Sequence, residues 1–132
     1  MTSFSYPLTG LISCIAIIIM MWTGIKVGQA RAKYQVPAPA TTGPDEFCRV
    51  YRVQMNTVEQ AVLYFPLLWL FAAMAGDYWA AAFGVIWLVG RVMYAQAYYA
   101  DAEKRGTGFG ITFLSTALLL VGCLYELIKS IL

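Results

Sequence analysis

Residues 1–25, MTSFSYPLTGLISCIAIIIMMWTGI, carry no charged side chain. A helix needs about 20 apolar residues to cross the hydrocarbon of a bilayer, so this run accommodates a first span, expected over residues 7–30. A cleaved signal peptide is the competing reading, but it calls for a positively charged start that this run lacks. Outward from there the pattern repeats. A second span, 47–75, begins in the polar stretch Phe47 to Glu59 and continues through the uncharged Gln60 to Gly76, where Pro66 removes one backbone donor and predicts a kink. A third, 78–102, is apolar until Arg91 and then mixes tyrosines with small residues, and a fourth, 107–131, contains the uncharged run Gly106 to Tyr125.

Only 12% of the residues are charged, about half the share found in soluble domains, so lipid is the main solvent. The expected fold is an all-α membrane protein, a four-transmembrane-helix bundle forming one domain over residues 1–132. The formal net charge of +2 and the lack of a Lys/Arg cluster exclude nucleic acid as a partner. Histidine is absent and Cys14, Cys48 and Cys123 show no CxxC spacing, so neither a metal site nor a Cys-His nucleophile is expected. Cys14 and Cys123 read as small apolar packing residues, whereas Cys48 lies beside a basic segment and stays open. Gly106, Gly108 and Gly110 form a GxGxG string with no strand before it, which reads as a loop and helix start and not as a nucleotide fingerprint.

Four spans place the first and third connections on one side. That side holds Lys26, Arg31, Lys33, Arg49, Arg52, Lys104 and Arg105, against Lys129 on the other, with Arg91 inside the third span. The positive-inside rule puts both connections in the cytoplasm and both termini outside. Trp22 near the inner edge and Tyr78 and Trp79 near the outer one suit interfacial anchoring. The proline-rich segment 36–45 is expected to be an extended connection.

Ionisable groups at membrane depth are costly and face a bundle interior or a wet cavity, which makes Arg52, Glu59 and Arg91 informative. Arg52, Asn56 and Glu59 follow i, i+4, i+7 spacing on one helical face, and Arg91, Tyr94 and Tyr98 follow i, i+3, i+7 on another. If the third helix persists, Arg105 returns to that same face. One reading is an interhelical network that fixes packing. The other follows from the excess of three arginines over one carboxylate, which an anionic ligand would complete.

The string Glu46-Phe-Cys-Arg-Val-Tyr-Arg-Val-Gln-Met-Asn-Thr-Val-Glu59, with Arg91-Val-Met-Tyr-Ala-Gln-Ala-Tyr98, Arg105 and the loop Thr41-Thr-Gly-Pro44, resembles the MAPEG family, membrane-associated proteins in eicosanoid and glutathione metabolism, and its bacterial members above all. The resemblance implies a homotrimer in a membrane, for a bacterial chain the inner membrane, with glutathione as co-substrate between subunits near the cytoplasmic edge. It assigns Arg52, Asn56, Glu59, Arg91, Tyr94 and Tyr98 to the tripeptide, Arg31 and Gln54 to contacts across the subunit boundary, and Arg105 to the thiol. Chemically the assignment is coherent: arginines suit the two carboxylates of glutathione through bidentate bonds, and Glu59 suits its ammonium. A thiol with a reference pKa of about 8.5 is only a few per cent ionised at neutral pH. A cation that lowers this value by roughly two units makes the thiolate dominant. Arg105 is expected to do so, with Tyr98 or Tyr94 as a second donor.

The acceptor implied is a lipophilic electrophile arriving from the membrane lipid, and lipid hydroperoxide reduction would use the same thiolate. Ala32 follows Arg31 where the leukotriene enzymes have a second basic residue, and Gln60 stands where they have tyrosine. Both departures weigh against leukotriene synthesis. The alternatives are a non-catalytic MAPEG-like lipid-binding scaffold and a proton-coupled exporter, which would need a carboxylate that the first span lacks.

Overall fold

A computed structural model describes residues 3–132; Met1 and Thr2, the first residues of the expected domain, lie outside the described residues. Four long helices follow one another: α1, Pro7–Tyr34; α2, Asp45–Ala75; α3, Asp77–Ala100; and α4, Gly106–Ile131. All four segments are long and apolar enough to cross a membrane, and the chain is an integral membrane protein built as an all-α bundle.

The ends of the helices follow from local chemistry. Pro7 opens α1 at a position where its missing N–H costs nothing. Asp45 and Glu46 occupy the first turn of α2, where negative charge meets the positive end of the helix dipole. Gln35 ends α1 in the left-handed conformation. Between α2 and α3 the chain reverses at Gly76 alone, whose φ of 100° suits a residue without a Cβ. The helix α2 runs through Pro66 without interruption. Between α3 and α4 stands a single 3-10 turn, Ala102–Arg105, capped by Asp101, whose carboxylate accepts from the Glu103 N–H at 3.0 Å. The third helix therefore does not persist to Arg105.

The core is a column of Ala16, Tyr64, Leu68, Trp87 and Leu119, all fully buried. Tyr64 and Trp87 stack with ring centroids 4.4 Å apart, and the Tyr64 hydroxyl donates to the Gly84 carbonyl at 2.9 Å. α3 and α4 pack most closely because glycines face each other's helix. A Cβ at Gly108 would collide with the backbone of Tyr94, and one at Gly90 with the backbone and side chain of Thr112. Small residues allow this approach in membrane helices, where apolar burial alone gives little drive. Cys123 is buried, as expected, but Cys14 is exposed on the single chain. Residues such as Ile18, Val62 and Phe113 turn apolar surface outward, which a bilayer solvates.

Candidate functional site

Along α2 the polar face forms one connected group. Arg52 and Glu59 meet in a forked ion pair, Nη1 to Oε1 at 3.2 Å and Nη2 to Oε2 at 3.3 Å. Asn56 sits between them and donates from Nδ2 to Glu59 Oε2 at 3.4 Å. Its other amide atom, Oδ1, accepts from Arg91 Nη2 at 3.1 Å, and Thr57 Oγ1 accepts from the same nitrogen at 3.0 Å. Arg91 thus joins α3 to α2 from behind. It has no exposed surface, and its Nε and Nη1 have no partner among the described residues.

Along α3 and the turn that follows it, cations lie over aromatic rings. The Arg91 guanidinium carbon lies 5.9 Å from the Trp87 ring centre and 4.1 Å from that of Tyr94. Tyr94 and Tyr98 have centroids 5.5 Å apart, and Arg105 stands 5.6 Å from the Tyr98 ring. Faces of aromatic rings attract cations, so the row holds three aromatic residues and two charges without a carboxylate. Arg105 is exposed and donates to the Ala102 carbonyl of its own turn.

Between α2 and the end of α3 lies an open cavity of about 520 Å³, lined among others by Cys48, Arg49, Arg52, Tyr98 and Ala102. That volume falls within the usual range for small-molecule sites. The structure therefore brings together Arg52, Asn56, Glu59, Arg91, Tyr94, Tyr98 and Arg105. It does not bring Arg31 or Gln54 to them within one chain. Arg31 donates to the Val36 and Ala40 carbonyls at 3.2 and 2.7 Å and lies over the Phe47 ring, pinned to the connection after α1. Gln54 points to the other side of α2, its amide nitrogen against Gly24 of α1.

Sequence reasoning passed over two contributors. Thr57 shares the Arg91 bond, and its position next to Asn56 was the available signal. Arg49 lines the cavity and donates from Nε to the Tyr99 carbonyl at 3.4 Å; it lies three residues before Arg52, on the same face.

The arrangement offers fixed cations, hydroxyl donors and two carboxylates, Glu59 on the α2 face and Asp45 in the cavity wall, beside open space at the end of a lipid-facing bundle. Such a site suits a ligand with several anionic groups and one ammonium. Known proteins resemble the chain over most of its length. The MAPEG family model matches residues 9–125. An uncharacterized protein of Synechocystis sp. is 48% identical over 89% of this chain and 86% of its own length. Human microsomal glutathione S-transferase 2 is 36% identical over 86% of this chain and 78% of its own, and bovine leukotriene C4 synthase is 32% identical over 71% and 63%.

Proposed function

The chain belongs to the MAPEG family, and from that premise we propose that it is a glutathione transferase embedded in the membrane, forming the glutathione thiolate and delivering it to a lipophilic electrophile. Its named relatives include a microsomal glutathione S-transferase and a leukotriene C4 synthase. The observation that carries the reading is the position of Arg105: an exposed cation over Tyr98, bonded to a neutral carbonyl and to no carboxylate among the described residues.

Each residue then has a task. Arg52 takes a ligand carboxylate, Glu59 its ammonium, and Tyr94 and Tyr98 donate from the side. Arg91 backs Asn56 from within the bundle. Arg105 faces the sulfur and stabilises its negative charge, so that the thiol proton leaves to solvent and the sulfur attacks the electrophile. A neighbouring copy supplies Arg31 and Gln54, which a homotrimer arranges around each site. One domain over 1–132 does this work, its cation-rich connections in the cytoplasm and its termini outside, in the inner membrane of a bacterium. The same thiolate would reduce lipid hydroperoxides.

A second reading, a lipid-binding scaffold without chemistry, draws support from an apolar groove of about 470 Å³ between α2 and α4, lined among others by Leu63, Pro66, Phe113 and Leu120. The two are separated by titrating the detergent-solubilised protein with glutathione near neutral pH and reading thiolate absorbance. A saturable signal supports the transferase; a folded protein that gives none supports the scaffold.

A further inference from the structure

Gln96 is out of place on its helix. It lies about one turn before the end of α3, exposed, with no hydrogen-bond partner among the described residues, whereas amide side chains in a membrane span normally find one across helices. It stands at the edge of a cavity of about 400 Å³ between α1 and α3, whose other walls are Ile18, Ile19, Trp22 and Val92. This groove shares no residue with the polar cavity beside α2. Lys26 continues its α1 wall. It follows Trp22 by four residues and Ile19 by seven, so it shares their face, about 6 Å beyond Trp22 along the axis. Its ammonium pairs with no carboxylate among the described residues. Asp101, the acid that follows α3, turns its carboxylate to the Glu103 N–H at 3.0 Å.

From the middle of the bundle toward its cation-rich end, the groove presents apolar walls, then an amide, then an ammonium. A phospholipid carries its groups in the matching order: acyl chain, ester carbonyl, phosphate. We propose that the α1–α3 groove holds one anionic phospholipid of the leaflet at the cation-rich end. An acyl chain lies along Ile18, Ile19, Trp22 and Val92, an ester carbonyl accepts from the Gln96 amide, and the phosphate meets Lys26. The lysine stem follows the apolar wall while its charge reaches the headgroup level. A headgroup with net negative charge is favoured, because a zwitterionic one brings its own cation to the phosphate. Trp22 packs edge-on against Tyr99 with ring centroids 5.9 Å apart, at the depth where tryptophan anchors membrane helices. This fixed wall holds the lipid at one place on the bundle and distinguishes it from the exchanging lipids around it.

The test uses the full chain in detergent, titrated with phosphatidylglycerol or with phosphatidylcholine of the same acyl chains and followed by native mass spectrometry. The wild-type chain should saturate at one phosphatidylglycerol per chain and prefer it over phosphatidylcholine by about fivefold, the effect of one basic residue near an anionic headgroup. In Lys26→Gln the preference should vanish, with phosphatidylcholine binding unchanged. In Gln96→Leu both lipids should weaken by about fivefold, the effect of one lost hydrogen bond, with the preference intact. Lys33→Gln, which removes the same charge from the same end of α1 but outside the groove, should bind both lipids as the wild type does. Two substitutions that act on different parts of one lipid keep the test open if either variant fails to fold. The proposal is overturned if phosphatidylglycerol adds without saturating at one per chain, or if Lys26→Gln keeps the preference. It is equally overturned if Lys33→Gln lowers the preference as far as Lys26→Gln, or if Gln96→Leu binds both lipids as tightly as the wild type. Any of these would reduce the groove to ordinary bilayer contact or to a surface covered by a second copy.

Discussion

The two ends of the bundle treat charge in opposite ways. Where α1 and α3 begin, a carboxylate meets backbone donors: Asp77 accepts from the N–H groups of Leu8 and Thr9 at 2.9 and 2.7 Å, two donors that α1 cannot satisfy internally. At the other end, arginines meet neutral carbonyls. Arg31 is held by Val36 and Ala40, Arg49 by Tyr99, and Arg105 by Ala102. A carbonyl fixes the position of a guanidinium without cancelling its charge. One end is closed by its own bonds, while the other keeps a positive field in reserve for an anion.

The contrast is sharpened most by Arg105→Ala. If the reserve serves a thiolate, the ionised fraction at neutral pH should fall from most of the bound thiol to a few per cent, about twentyfold, corresponding to roughly two units in the thiol pKa, while the thermal midpoint in detergent stays put. Equal loss of both would remove the distinction between the ends. Next in size is Gly108→Ala, which presses α4 onto the Tyr94 backbone. Overpacking of this kind costs about 1–3 kcal/mol, visible as an earlier unfolding transition, whereas Gly110→Ala, with open space around it, should leave the transition unchanged. Asp77→Asn should lower the midpoint by only a few degrees through loss of charge from the α1 cap, with glutathione binding untouched. A drop in binding would show that the two ends are coupled. Smallest of all is Lys129→Ala: its pair with Glu126 is a surface contact of the kind that contributes little, and neither stability nor binding should move.

How much of this the chain declares in advance depends on the range of the interaction. Uncharged runs report the bilayer directly, so the four helices and the burial of Arg91 were legible. The i, i+4, i+7 register of Arg52, Asn56 and Glu59 also survives, because a continuous helix fixes it. Register fails where the helix stops. Arg105 was expected on the face of Tyr98 by continuation of α3, yet α3 ends at Ala100 and the 3-10 turn brings the guanidinium to Tyr98 by another route. The role of Gly108 was illegible for a different reason: a missing Cβ has meaning only once the facing backbone of Tyr94 is known. Cys14 shows the same limit, since its exposure depends on what α1 packs against.

The 3-10 turn also separates two kinds of change that a continuous helix would bind together. Adding one residue inside α3 rotates everything beyond it by about 100° and would carry Tyr94 and Tyr98 away from α2. A residue added between Asp101 and Arg105 leaves both helices in place and displaces one guanidinium. The chain thus has a short segment in which length itself is a variable, and lineages or engineers could use it to retune the reach of the cation toward sulfur while inheriting the rest of the bundle unaltered.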